Sequence, residues 1–376
     1  MYEKPLVSIV LPSYNGAEYI RQSIDSIKNQ SFTAWELILV NDCSEDNTLD
    51  IMNKYAADDS RIHVINNTTN QRLPKSLNIG FARAKGEYLT WTSDDNKYLT
   101  DALVCMVEWL QLHPDIPLIC ADYSLIDEDG ALIHGMKPRP FNEHTLLIEP
   151  TVGACFMYRR EVLDELGGYD ETAFCAEDHE YWQRIWKKYH HVGHIAKDLY
   201  RYRVQRNSLS ATMPDKVLYQ RAALHKRNWL EILDYFRNEP QYLCQVYYDM
   251  LQGGNDYEKE CLQLLGIVDE LNDECFDFNN HDFVIFGAGK LGKEVRKILP
   301  KETLFYIDND VNKQNTILDG IRIISLKEYL EIKESSEIII SIWADHIYEI
   351  IRQLKQAGIK KYYSIYGLRK SIRNEK

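Results

Sequence analysis

Along the first hundred residues, apolar and polar positions come in blocks. Apolar, β-rich runs begin near Leu6, Glu36, Arg61 and Glu87, separated by amphipathic stretches that end in polar turns. A spacing of about 25 to 30 residues is the length of a βα unit, so the pattern predicts a parallel sheet. Residues 17–29 put Ile20, Ile24 and Ile27 on one helical face, a stripe expected to pack on that sheet. The fourth run, residues 87–92, leads straight into Ser93-Asp-Asp-Asn96. In a parallel sheet this loop lies beside Pro12-Ser-Tyr-Asn-Gly16 and Val40-Asn-Asp-Cys-Ser-Glu-Asp46, at the edge where open α/β sheets bind ligands.

Further on, the pattern predicts a helix near 100–112, a strand from Pro117 to Asp122, a turn at Asp127-Glu-Asp-Gly130 between polar strands, and an acidic helix start at Ala176-Glu-Asp-His-Glu. Tyr200-Arg-Tyr-Arg-Val-Gln-Arg206 reads as a strand entering a polar loop. Leucines, tyrosines and charges then recur at helical spacing, interrupted by Pro240 and Gly253-Gly254. This predicts a helical linker over residues 214–280. A second α/β unit is expected over 281–376, with runs at Phe283, Thr303, Ile321, Glu337 and Lys361.

Composition narrows the function classes. With 376 residues, two domains are the default, and 45% hydrophobic and 27% charged residues describe an ordinary globular chain. A net charge of -13 excludes non-specific nucleic-acid binding, which needs basic surfaces. The eight cysteines show no CxxC spacing, which fits free thiols in a reducing cytoplasm. No apolar run approaches the roughly 20 residues of a membrane span, so membrane contact is expected to be peripheral at most, at the inner face. The basic tail (Lys360, Lys361, Arg369, Lys370, Arg373) is the segment that would touch anionic lipid, although a solvated terminus explains it as well.

The candidate chemistry sits in the loops. Adjacent carboxylates, Asp94 and Asp95, can hold Mg²⁺ or Mn²⁺ in part and leave coordination positions for a diphosphate; a helix N-cap is the structural alternative. Tyr14 offers a stacking face and Asp42 an acceptor for a base N–H, while turn chemistry alone would also explain such residues. Glu177 and Asp178 are either dipole-favoured residues of a helix start or the carboxylate that accepts a proton from a poor hydroxyl nucleophile.

The ordered set Ser8-Ile-Val-Leu-Pro-Ser-Tyr-Asn15, Ser26-Ile-Lys-Asn-Gln30, Glu36-Leu-Ile-Leu-Val-Asn-Asp-Cys-Ser44, Ala84-Lys-Gly-Glu-Tyr88 and Ser93-Asp-Asp95 resembles family 2 glycosyltransferases of the GT-A fold. The resemblance covers about residues 5 to 210 and implies a glycosyltransferase domain over 1–213 with a mixed, mostly parallel sheet. It implies that Pro12, Tyr14, Asp42 and Asp94 bind the donor, that Asp95 with Asp94 holds Mn²⁺ or Mg²⁺, and that Asp178 is the base with Glu177 orienting donor or acceptor; Arg72 is a candidate donor contact to base or phosphate, a solvated loop arginine being the equal alternative. Thr92 or Ser93 stands where a first Asp often sits, and Asn41 and Cys43 replace the more usual Asp and Gly. Trp182 and Arg184 have spacings that can reach the cleft, with core packing the safer reading for the tryptophan, and the arginines of Tyr200–Arg206 are candidates for the diphosphate. The implied reaction is inverting transfer from a nucleoside-diphosphate sugar, a UDP-sugar for preference, to a glycan or lipid-linked glycan in bacterial surface polysaccharide synthesis. A homo-oligomer is compatible with the helical segment.

In the C-terminal part, strand, Gly287-x-Gly289-x-x-Gly292, helix, strand and Asp308 make a dinucleotide-binding fingerprint in its expected context. About 95 residues leave room for a nucleotide but not for a separate substrate domain. The unit resembles small Rossmann-like domains appended to bacterial sugar-modifying enzymes. Two alternatives follow: an NAD-dependent oxidoreductase or epimerase-like protein centred here, or a nucleotide-sugar-binding regulatory protein.

Overall fold

In the computed structural model of the chain, the described residues are 5–135, 138–252, 282–299, 303–332, 336–342, 344–359 and 362–364. Gly253-Gly254, the rest of the helical segment to residue 280, Cys261, Cys275 and the five basic tail residues lie outside them. The chain divides into two compact units, residues 1–217 and 218–376.

The first unit is built on eight strands: β1 (Val7–Ser13), β2 (Trp35–Asn41), β3 (Ile62–Asn66), β4 (Tyr88–Trp91), β5 (Lys97–Tyr98), β6 (Leu118–Ile126), β7 (Phe156–Arg159) and β8 (Gly193–Arg203). Their order in the sheet is β3-β2-β1-β4-β7-β6-β8-β5. The pairs β1/β2, β2/β3, β1/β4 and β6/β8 are parallel, whereas β4/β7, β6/β7 and β5/β8 are antiparallel. Every residue of β1 and β2 is buried, as expected of central strands covered on both faces. The stripe Ile20, Ile24 and Ile27 of helix Ile20–Lys28 packs into the core with Val7, Ile9, Leu11, Leu37 and Leu39.

Two of the sequence motifs turn out to be architectural. Ser8 Oγ donates to Glu36 Oε1 at 2.6 Å, and the Lys85 N–H donates to the same carboxylate oxygen at 2.6 Å. The Gly86 N–H donates to Ser8 Oγ at 2.7 Å. A buried glutamate is thereby satisfied by neighbouring strands and the turn before β4. A Cβ on Gly86 would lie 2.6 Å from the Ser8 amide nitrogen, so only glycine lets this turn approach β1. The stretch 127–130 is a turn, with Gly130 N–H donating to the Asp127 carbonyl, but the chain returns through a single bridge, Ile126 to Leu132, rather than a second strand.

The second unit has strands β9 (Phe283–Phe286), β10 (Thr303–Ile307), β11 (Ile317–Leu318), β12 (Ile321–Ile324), β13 (Glu337–Ile340) and β14 (Tyr362–Ser364). Their order is β11-β12-β10-β9-β13-β14, parallel except for the edge strand β11. The five parallel strands thus run third, second, first, fourth, fifth, the order of a doubly wound α/β sheet. Pro240 opens the helix Pro240–Gln252 rather than breaking one, because its missing N–H costs nothing in a first turn. That helix packs on Ala344–Gln356 within the unit. Cys43, Cys105, Cys120, Cys155 and Cys175 are free thiols. Among the described residues, no helix is long and apolar enough to cross a membrane.

Candidate active site

Because β2, β1 and β4 are adjacent and parallel, the loops that follow them open onto one cavity of about 690 Å³. It is lined by Pro12, Tyr14, Asp42, Arg72, Asp94, Asp95, Glu177 and Asp178, so the eight residues singled out in the first unit share one cleft. Tyr14 stands at its mouth, 51% exposed. Asp42 is buried, and its Oδ1 accepts from Asn67 Nδ2 at 2.9 Å and from the Gln71 N–H at 2.8 Å. These bonds fix the carboxylate against the segment that carries Arg72.

Neither Asp94 nor Asp95 caps a helix; the chain continues into the short strand β5. Ser13 Oγ donates to Asp94 Oδ2, and a Cβ on Gly16 would collide with the same oxygen. Gln205 Nε2 donates to Asp95 Oδ2 at 2.6 Å. Burial, and then the charge of Asp95 beside it, push the Asp94 carboxyl up to about 7. Burial raises Asp95 as well, offset in part by Gln205 and Arg203. Among the described residues no group of three or more His, Cys, Asp or Glu side chains forms a metal cage. The loop brings together two carboxylates whose proximity disfavours charge, a repulsion that a divalent cation would relieve.

Across the cleft, helix Glu177–Tyr189 begins with the second acidic pair. Glu177 is buried and its Oε2 accepts from the Cys175 N–H at 2.8 Å, whereas Asp178 is only half-buried and its Oδ1 accepts from the His179 N–H. Burial raises both carboxyls, and the charge of Asp178 adds to the rise at Glu177. Tyr202 on β8 links the two walls. Burial, then the charges of Asp95 and Asp178, hold its phenol above the usual range, so both acidic sets act on one ring. The cleft rim is strained. Asn15, Cys43, Arg72 and Cys175 have φ of 55°, 63°, 67° and 82°, values L side chains rarely adopt. Arg72 combines φ 67° with ψ 166°, a region used almost only by glycine.

Some expectations are corrected. Arg203 does not face the diphosphate region. It is buried, and its Nε donates to the Asp95 carbonyl at 3.0 Å, Nη1 to the Asp127 and Glu128 carbonyls at 2.9 and 2.8 Å, and Nη2 to Gln22 Oε1 at 2.9 Å. Arg201 pairs with Asp198 at 2.7 Å. Trp182 is fully buried among Phe156, Tyr158 and Tyr181, the core packing expected of it, while Arg184 binds Glu180 and the Leu166 and Gly168 carbonyls. Ser13, Gly16, Phe174, Tyr202 and Gln205 are cleft residues that the sequence did not single out.

In the second unit, Gly287 has φ 114°, and a Cβ on Gly292 would strike the Gly287 carbonyl, so both glycines are required by the turn into helix Lys290–Ile298. Gly289 has open space around it. The Asp308 carboxylate is engaged by its own unit: Oδ2 accepts from the Ala288 N–H at 2.8 Å and from Lys313 Nζ at 3.1 Å, and Oδ1 from the Asp310 N–H at 2.9 Å.

The model of the family described as glycosyl transferase family 2 matches residues 8–167. Bacillus subtilis TuaG, a glycosyltransferase named for teichuronic acid biosynthesis, is 37% identical over 127 residues, 34% of this chain and 50% of TuaG. An uncharacterized glycosyltransferase of Rickettsia felis is 31% identical over 192 residues, 48% of this chain and 31% of its own length. The chain thus spans half or less of these relatives. Among solved structures, S. aureus TarS 1-349 in complex with UDP-GlcNAc superposes with a TM-score of 0.52 at 19% identity, covering 65% of this chain and 72% of that fragment. The Pyrobaculum calidifontis mannosyltransferase PcManGT, in complex with GDP-Man and Mn²⁺, gives 0.50 at 19% identity, covering 70% and 79%. Likeness at this level speaks to the fold, and it agrees with the mixed, mostly parallel sheet of the first unit. The match to the glycosyl transferase family 2 model covers residues 8–167, and the first unit shares its fold with these solved transferases.

Proposed function

We propose that this chain is an inverting glycosyltransferase that moves a sugar from a nucleoside-diphosphate donor, a UDP-sugar for preference, to a glycan hydroxyl in surface polysaccharide synthesis. The observation that carries this reading is the single cleft with Asp94 and Asp95 on one wall and Glu177 and Asp178 on the other. Nucleotide-sugar complexes of TarS and PcManGT support the donor class, and the naming of TuaG supports the polysaccharide class.

Tyr14 stacks on the base and Asp42 accepts its N–H. Asp94 and Asp95 are the residues that would hold Mn²⁺ or Mg²⁺, which when bound would supply positive charge to the departing diphosphate. Asp178, the more accessible of its pair, takes the proton of the acceptor hydroxyl as the oxygen attacks the anomeric carbon and the bond from that carbon to the diphosphate oxygen breaks. Attack from the face opposite the leaving group inverts the centre. Glu177, fixed by the Cys175 N–H, orients donor or acceptor.

Donor hydrolysis measured with and without Mn²⁺ across UDP- and GDP-sugars, for wild type, Asp95→Ala and Asp178→Asn, tests the reading. Metal-dependent release from one donor, lost in both variants, is the expected result. Release from no donor, together with NAD binding that survives both substitutions, would move the function to the second unit.

A further inference from the structure

Arg201 and Arg203 are engaged by the protein, and two further cations lie beside the cleft. Phe174 lines the cavity beside Cys175, Glu177 and Asp178. Two cations lie against its ring: Arg72 Cζ is 5.4 Å and Lys216 Nζ 4.5 Å from the centroid. Arg72 precedes helix Leu73–Phe81, and Lys216 sits in the first turn of helix Pro214–Arg227, just after the segment from Gln205 to Thr212 that lines the same cavity. Neither makes an ion pair with a carboxylate among the described residues.

The choice of partner matters. A carboxylate would cancel the charge of Lys216, whereas an aromatic face holds an ammonium and leaves its field available to an incoming anion. Both charges reach inward. Burial and then Glu177 raise the Cys175 thiol, and Lys216 and Arg72 pull it back. An anion between these cations would lie next to the acidic pair that handles the acceptor, where a diphosphate must sit if the sugar is to meet Asp178.

We propose that Lys216, held on Phe174 together with Arg72, is a donor-binding residue that grips the diphosphate of the nucleotide sugar and of the departing nucleoside diphosphate. This rests on the transferase reading above.

The test is calorimetric titration, with Mn²⁺ present, of UDP, GDP, uridine and guanosine into wild type, Lys216→Ala and Lys216→Arg. A charge-assisted contact to phosphate predicts a loss of roughly tenfold in nucleoside-diphosphate affinity for Lys216→Ala. The parent nucleoside should bind unchanged, and Lys216→Arg should recover most of the loss. Unchanged diphosphate affinity in Lys216→Ala overturns the proposal and leaves the transferase reading intact. An equal loss for nucleoside and diphosphate also overturns it, since it marks a structural role. A wild type that binds neither UDP nor GDP overturns the transferase reading and this proposal with it.

Discussion

Arg203→Met separates a structural arginine from a substrate-binding one. The substitution keeps an apolar stem and removes a guanidinium that donates to four acceptors: the carbonyls of Asp95, Asp127 and Glu128 and the side chain of Gln22. At about 1 kcal/mol for each net bond, and more where an acceptor is left buried without a donor, the loss is about 4 kcal/mol. Relief from burying a charge offsets part of that. In a unit of this size each kcal/mol moves the thermal midpoint by about 2–4 °C, so a fall of about 5–15 °C is expected once that offset is taken off. Because the Asp95 carbonyl loses its donor, the KM for the nucleotide sugar should rise at the same time. Arg203→Lys, which keeps the charge but can satisfy only one or two acceptors, should fall between. The assay is a thermal scan beside donor-hydrolysis kinetics. A midpoint within about 2 °C of wild type, combined with lost donor binding, would refute the reasoning and return Arg203 to the diphosphate.

Three further outcomes are expected. Asp178→Asn should abolish transfer while raising the thermal midpoint at pH 8. Burial raises the folded-state pKa of Asp178, so its favourable contribution is full below the unfolded value and is lost as pH rises through the folded one; thermal scans should show the gain vanishing near pH 4, and an equal gain at both pH values would count against a buried carboxylate. The same shift places the acid limb of the wild-type pH–rate profile above the ordinary carboxylate range. Gly16→Ala should weaken Mn²⁺-dependent donor binding at least about tenfold, because its Cβ collides with Asp94 Oδ2 and Ser13 Oγ; calorimetry showing wild-type affinity would contradict the packing. Gly292→Ala should lower the midpoint of the second unit but leave donor hydrolysis in place. Hydrolysis lost as fully as in Asp178→Asn would place the chemistry in that unit.

Much of the first unit was legible because its signals are local. Continuous apolar runs specified β1 and β2, a three-residue isoleucine stripe specified the helix between them, and parallel pairing then forced the loops carrying Tyr14, Asp42 and Asp94 together. What escaped were contacts between distant positions. Gln205 reaches Asp95 across 110 residues, and nothing in the loop after β8 marks that glutamine. Arg203 was legible as a strand residue but not by its direction, which depends on irregular register between β6 and β8 and on a turn at 127–128 that supplies carbonyls. Helical spacing likewise suggested Arg184 for the cleft, while two carbonyls near Gly168 claim its guanidinium.

The left-handed residues around the cleft bear on how this protein would be engineered. Cys43 holds φ 63° directly after Asp42, a conformation that costs an L residue on the order of 1 kcal/mol or more and glycine almost nothing. Cys43→Gly would relieve that strain, at the expense of extra freedom in the unfolded chain, and would remove a partly accessible thiol open to oxidation. An oxidisable thiol can therefore be removed next to Asp42 without disturbing a single core side chain.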